Sequence, residues 1–194
     1  WRLSKKVLKN DGRLIINVPS ITYKKQYKPL YSHIINQCEK LGYLMRGEIV
    51  WYKQTIHKRT AWGSFKSPSS PYLVQPYEFV LVFQKSKEHF KHLGKKEDID
   101  ITKEEFIQYT NAFWNITPET KLSKIHPSPF PYELAYRLIK FYTYKNDVVL
   151  DFFGGSGTLA LACAKNNRNF IYGDISPNYT NYAKERVSKI INEE

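Results

Sequence analysis

One stretch near the C-terminus constrains the fold more than any other: Val148-Val149-Leu150-Asp151, followed by Phe152-Phe153-Gly154-Gly155-Ser156-Gly157-Thr158. An apolar run ending in a carboxylate and a glycine-rich turn lead through a helical run to a second apolar run, Asn169-Phe170-Ile171-Tyr172-Gly173, which ends in Asp174. The pattern predicts the nucleoside-binding βαβ half of a Rossmann-like sheet. Gly154, Gly155 and Gly157 remove side chains where the backbone must come close to a ligand, and the start of the next helix offers free N–H groups. Asp174 is placed to accept hydrogen bonds from both hydroxyls of a ribose. Too little chain follows Thr158 to complete a doubly wound sheet, so the other strands must precede the turn and the order of elements is permuted.

The turn by itself admits two ligands. Gly155-Ser156-Gly157-Thr158-Leu159-Ala160 fits the dinucleotide pattern G-x-G-x-x-A, which leaves a nicotinamide oxidoreductase open. Two features favour S-adenosylmethionine. Asp151, just before the glycines, suits a cationic amino-acid end and would repel a pyrophosphate. A dinucleotide domain also needs a second mononucleotide half after Asp174, and the sequence has none.

The rest of the chain reads as α/β. Trp1 to Leu8 reads as the end of a helix, Asn10-Asp11-Gly12 as a turn and Arg13 to Val18 as a buried strand. Leu30, Ile34, Ile35, Cys38 and Leu41 recur at helical spacing before a stop at Gly42. Glu48 to Tyr52 and Glu78 to Phe83 are β-rich and predict a hairpin-like pair around the segment between them. Thr102-Lys103-Glu104-Glu105 is a capping box. Pro131 starts a helix carrying Leu134, Leu138, Ile139 and Tyr142. Ser176-Pro177 opens the last helix, with Tyr179, Ala183, Val187 and Ile190 facing inward. The 194 residues predict a single domain with one core.

Composition narrows the partners. Lys+Arg number 30 against 18 Asp+Glu, a net charge of +12, so the surface attracts polyanions and binds them more weakly as salt rises. Aromatic residues make up 15% of the chain, which supplies stacking surface for unpaired bases as well as core. Cys38 and Cys163 each fall on an apolar helical stripe, which argues against a disulfide or a metal site and for a reducing, cytoplasmic setting. His33, His57, His89 and His92 have no metal-ligand spacing. No apolar run is long enough to span a membrane and nothing reads as a signal peptide.

Three separated segments carry a resemblance to a known family. Asp151-Phe152-Phe153-Gly154-Gly155-Ser156-Gly157-Thr158 resembles D-P-F-x-G-S-G-T, with Phe152 in place of proline. His126-Pro127-Ser128-Pro129-Phe130-Pro131 is similar to H-P-x-P-F-P. Thr60-Ala61-Trp62-Gly63-Ser64-Phe65, with Ser67-Pro68 and Pro71-Tyr72 after it, is similar to T-A-W-G-S-W. Along essentially its whole length the chain resembles the permuted class of DNA amino-methyltransferases, which methylate adenine N6 or cytosine N4. The resemblance implies a Rossmann-like S-adenosylmethionine-dependent methyltransferase fold in permuted order with a DNA-contacting loop insertion. It implies cofactor binding by Asp151, Phe152, Gly154, Gly155, Ser156, Gly157 and Thr158, by Asp174 and Ile175, and by His126, Pro127 and Phe130. Double-stranded DNA would be the substrate, with a cognate restriction endonuclease as a functional rather than physical partner.

The family's D-P-P-Y or S-P-P-Y loop, which holds the target amino group, is absent from Trp1 to Glu194. Ser67-Pro68-Ser69-Ser70-Pro71-Tyr72 and Pro129-Phe130-Pro131-Tyr132 lie in the wrong place in the family order, so no residue is assigned as catalytic. The expectation is that the catalytic strand and loop lie upstream of Trp1, and that a catalytically inactive cofactor- or DNA-binding module is the rival reading. DNA contact is expected in the insertion from Lys53 to Gln75, where Lys53, His57, Lys58, Arg59 and Lys66 surround Trp62, Ser64 and Phe65. The basic stretch Lys85 to Lys96 has few apolar anchors and reads as mobile. The T-A-W-G-S likeness implies cytosine N4 in preference to adenine N6.

Overall fold

The computed structural model describes residues 1–24, 26–54, 63–87 and 91–191. Two compact units are distinguished: unit 1 is Trp1–Leu93 with Ala112–Asn115, and unit 2 is Gly94–Asn111 with Ile116–Glu194.

Unit 1 contains α1 (Arg2–Val7), β1 (Arg13–Val18), β2 (Ile21–Tyr23), β3 (Gln26–Lys28), α2 (Leu30–Lys40), β4 (Leu44–Tyr52), β5 (Tyr77–Gln84) and β6 (Phe113–Asn115). Its sheet has the order β1-β5-β4-β6, and β2 and β3 form a separate hairpin. The β-rich runs on either side of the insertion pair antiparallel, Glu48 with Leu81 and Tyr52 with Tyr77, as expected of a hairpin with a long connection. β6 joins β4 in parallel, Trp51 opposite Trp114.

Leu81 and Phe83 on β5 and Ile16 and Val18 on β1 meet Cys38 of α2 and Tyr43 in one buried cluster. The period of two along β1 and the helical period along α2 bring these residues to a common face. Gly42 stops α2 as its position suggests. Its φ of +77° lets Tyr43 N–H reach Cys38 C=O at 3.0 Å and Gly42 N–H reach Glu39 C=O at 2.8 Å, the double bond of a Schellman end.

Unit 2 contains α3 (Lys103–Thr110), α4 (Tyr132–Tyr142), β7 (Val148–Asp151), α5 (Thr158–Lys165), β8 (Asn169–Tyr172) and α6 (Pro177–Ile191). The capping box at α3 forms, with Glu105 N–H on Thr102 Oγ1 at 3.1 Å and Thr102 N–H on Glu105 Oε2 at 2.9 Å. β7 and β8 pair in parallel, Val148 with Asn169 through Asp151 with Tyr172. Val149 and Phe170 lie against Ala135 and Ile139 of α4 and Ala162 and Cys163 of α5. Burial pushes the Cys163 thiol up to about 12 and the Cys38 thiol up to about 11, so both behave as small hydrophobes.

Arg168 of unit 2, with a fully buried side chain, is the hub of an ion cluster. Its two terminal nitrogens donate to the Asp100 carboxylate at 2.5 and 2.8 Å, and Lys140 Nζ lies 3.2 Å from the same group. Burial opposes ionisation of Asp100. The Arg168 and Lys140 bonds and charges outweigh it and hold the carboxyl below the usual range.

The Lys85 to Lys96 stretch has anchors that its composition does not reveal. Lys85 Nζ donates to Leu8 C=O at 2.6 Å, and His92 Nδ1 lies 2.8 Å from Asp11 Oδ2. Among the described residues no helix is long and apolar enough to cross a membrane.

Candidate functional site

β7 delivers Asp151 to the start of the glycine turn, and β8 delivers Asp174 to the same end of the strand pair because the two strands are parallel and in register. Backbone bonds lock the turn between them. Gly173 N–H donates to Asp151 C=O at 2.8 Å, Gly154 N–H to Gly173 C=O at 3.0 Å, and Gly157 N–H to Gly154 C=O at 2.8 Å. Gly155 N–H donates to Asp174 Oδ2 at 2.8 Å, and Ser176 N–H to Asp174 Oδ1 at 2.8 Å. The carboxylate that sequence reasoning assigns to a ribose therefore faces the turn. Each of its oxygens spends one acceptor site on the protein, and an ionised carboxylate has about four such sites, which leaves capacity for a diol.

Glycine is required here by contact as well as by torsion. Gly157 has φ +75°, and a side-chain carbon there would lie 2.6 Å from Ala183 Cβ on α6. A carbon added at Gly154 would overlap the Tyr172 ring, and one at Gly155 would meet His126 Nε2 at 2.9 Å. His126 is thus brought over the turn, as the His126-to-Pro131 likeness implies, and its ring lies 4.8 Å from that of Tyr179 on α6. Pro127 is exposed, while Phe130 is half-buried against the Ala135–Cys163 cluster.

Three side chains of the site escape sequence reasoning. Tyr172 donates its hydroxyl to Gly155 C=O at 2.7 Å, and the Tyr179 ring packs against His126 at a tilt of 53°. Arg186 donates to Ser156 C=O at 3.1 Å and Thr158 Oγ1 at 3.0 Å. The available signal was position: Tyr179 lies on the inward stripe of α6, and Arg186 is three residues beyond Ala183 and next to Val187.

The electrostatics suit a cation. Burial raises the Asp151 carboxyl above the usual range and the charge of Asp174 raises it further, while the Phe153 N–H at 3.1 Å from Oδ1 opposes both. The N–H groups of Gly154, Gly155 and Gly157 already have acceptors within the chain. Such a turn has little to offer a pyrophosphate, which would also meet two carboxylates. Beside it stand apolar groups in water, Phe152 at 40%, Phe153 at 77% and Ile175 at 100% exposure, with the two phenyl rings 4.9 Å apart.

In unit 1 the ends of the insertion are closed by Lys53 N–H on Pro76 C=O at 2.7 Å. Lys53 Nζ pairs with Glu78 Oε1 and sits 4.7 Å from the Trp51 ring centre, while Asn17 Nδ2 donates to Glu78 Oε2 at 2.6 Å. Lys53 is therefore committed to a carboxylate at the base of the loop. Ser64 braces the loop, its Oγ donating to Ser67 C=O at 2.7 Å and accepting from Ser70 N–H at 2.8 Å. Lys66 has φ +55°, with its Nζ 5.5 Å from the Phe65 ring centre. His57, Lys58, Arg59 and Trp62 lie outside the described residues.

A family model described as DNA methylase matches residues 1–185. A Type II methyltransferase of Methanocaldococcus jannaschii, M.MjaVI, is 44% identical over 115 residues, covering 59% of this chain and 58% of that protein. M.MthZI of Methanothermobacter thermautotrophicus is 26% identical, covering 98% of this chain and 58% of that protein. The chain thus spans less than two thirds of the length of these curated relatives. Among solved structures, a Thermus thermophilus protein, described as a candidate DNA modification methylase complexed with S-adenosyl-L-methionine, matches with TM-score 0.81 and 28% identity, covering 98% of this chain and 74% of that one. The PvuII DNA methyltransferase, described as cytosine-N4-specific, matches with TM-score 0.73 at 18% identity, covering 99% and 73%, a likeness of fold alone.

Proposed function

Because the chain belongs to the DNA methylase family and shares the Rossmann-like α/β fold of those enzymes, we propose that residues 1–194 act as one S-adenosylmethionine-dependent methyltransferase domain whose substrate is the exocyclic amino group of a base in double-stranded DNA. Cytosine N4 is favoured over adenine N6, on the Thr60-to-Phe65 likeness. The observation that carries the reading is the convergence of a half-buried, cation-seeking Asp151, the Gly155-bonded Asp174 and His126 on one glycine turn.

The donor set fits the cofactor. Asp174 has acceptor capacity for the ribose diol, Asp151 for the amino-acid end, and Ile175 with Phe152 offers apolar surface to a purine. When bound, S-adenosylmethionine supplies a methyl group on a positively charged sulfur. Asp151 and Asp174 supply negative charge, His126 and the prolines beside it shape the pocket, and Arg186 and Tyr172 keep the turn's carbonyls in place. Extrusion of the base is required because an amino nitrogen inside the stack cannot be approached in line. Proximity and alignment then account for most of the acceleration. DNA contact is proposed for the 53–75 insertion, with Ser64 bracing and Lys66 contacting it, and with His57, Lys58, Arg59 and Trp62 as further candidates. Lys53 acts at its base through Glu78.

Incubation of duplex DNA and methyl-labelled cofactor with the protein, including the D-P-P-Y or S-P-P-Y loop that Trp1 to Glu194 lack, followed by nucleoside analysis, is expected to yield N4-methylcytosine. N6-methyladenine would reverse the base preference, and cofactor binding without DNA methylation would support the binding-module reading. The raised Asp151 pKa adds a pH dependence. The ionised carboxylate is the form that binds a cation, so S-adenosylmethionine affinity measured by calorimetry should weaken as pH falls through the raised Asp151 value toward the ordinary aspartate range. Asp151→Asn should flatten that dependence, and a pH-independent affinity in the parent protein would remove Asp151 from the site.

A further inference from the structure

Outside the glycine turn, unit 1 carries a cleft of about 500 Å³ in the insertion, with Phe65, Tyr72, Pro68 and Pro71 in its walls and Lys66 at its side. The cleft has a reason to keep its shape. Besides the two Ser64 hydroxyl bonds, Ser64 N–H donates to Ser70 C=O at 2.9 Å and Gly63 bridges to Pro71. Gly63 is needed at that closure, since an added carbon would overlap the Ser70 carbonyl oxygen on a backbone with φ +70°. Two prolines remove further freedom. The 63–72 segment is therefore set before any ligand arrives, which lowers the ordering cost of binding.

Its surface chemistry is one-sided. Phe65 is 70% exposed and Tyr72 45% exposed, so large apolar faces stand in water on a loop rather than in a core. From Lys53 to Tyr77 the sequence holds no Asp or Glu, while Lys53, Lys58, Arg59 and Lys66 are all basic. With Lys53 engaged by Glu78, Lys66 is the described cation at the cleft, 5.5 Å from the Phe65 ring centre. A flat ligand with apolar faces and an adjoining negative charge complements this set. Aromatic side chains stack on any base because every base has a π-face, and a lysine recognises phosphate as a point charge.

We infer that the Phe65–Tyr72 cleft is a nucleobase-stacking subsite that takes one unstacked DNA base, with Lys66 on the adjoining phosphate. The inference rests on the DNA-methylating reading and assigns to the insertion of unit 1 a place where a base is held by its faces.

The test uses the full chain with a single-stranded oligodeoxynucleotide carrying 2-aminopurine, titrated over a salt series, and with S-adenosylhomocysteine titrated separately as a check on folding. The parent protein should quench 2-aminopurine on binding. Phe65→Ala and Tyr72→Ala should each weaken binding by about 5- to 100-fold and lose the quench, with the salt dependence unchanged. Lys66→Gln should keep the quench and lower the slope of log affinity against log salt by about 0.7, the loss of one single-strand phosphate contact. S-adenosylhomocysteine affinity should stay the same in all three. Parent-like DNA affinity and quench in the two aromatic variants would overturn the subsite while leaving the function intact. DNA binding absent from a parent protein that binds the cofactor would overturn both.

Discussion

Asp100→Ala is expected to destabilise unit 2 by about 3 kcal/mol, the lower end of the range for removing one partner of a buried ion pair. The alanine leaves Arg168, whose side chain is fully buried, without the carboxylate its two terminal nitrogens share, although Thr143 and Asn166 still accept from it. The 16% exposure of Asp100 keeps the loss from the upper end of that range. The effect depends on pH in a defined direction. The folded Asp100 carboxyl is held below its ordinary value, so the pair's contribution is complete above the unfolded carboxylate range, near 3.9, and is lost as pH falls through the folded value. Denaturant melts of parent and variant should therefore differ most at neutral pH and converge in acid. A constant difference across that range would show that the pair's charge is not what stabilises unit 2.

Asp174→Ala is expected to weaken S-adenosylhomocysteine binding by about 150-fold, or about 3 kcal/mol, two charge-assisted bonds to a ribose at the lower end of their range. The substitution also frees Gly155 N–H and Ser176 N–H, which now share the carboxylate, so part of the loss comes from a less ordered turn. Asp174→Asn separates the two effects. The amide oxygen can still accept one backbone N–H, and the fold should keep its stability while ligand affinity falls. Equal affinity in parent and both variants would place the ribose elsewhere.

These effects also show where a sequence is informative. The glycine turn was legible because its torsions and close approaches admit one residue type: Gly157 against Ala183 and Gly155 against His126 leave no room for a side chain. Local chemistry at element ends was equally legible, as at the Thr102–Glu105 box and the Gly42 stop, because cap and helix lie within a few residues of each other. The short strands β2, β3 and β6 were not found. Gln26-Tyr27-Lys28 has no apolar alternation, and Phe113–Asn115 becomes a strand only by pairing with distant β4.

Long-range polar pairs were invisible for the same reason. Nothing near Arg168 points to Asp100, and nothing near Lys53 points to Glu78. A basic residue in a loop looks like a DNA ligand until the carboxylate across the sheet is known. The site's second set, Tyr172, Tyr179 and Arg186, belongs to the class of supports for a turn, and composition alone does not distinguish these residues from ordinary helix and strand residues.

Calorimetric titration of the 194-residue chain with S-adenosylhomocysteine and, separately, with NAD tests the central claim most directly. A cation-seeking Asp151 and a turn whose glycine N–H groups are already used predict saturable, one-to-one binding of S-adenosylhomocysteine and no measurable binding of NAD. Preference for NAD, or failure of S-adenosylhomocysteine to bind a protein that melts cooperatively, would contradict the account.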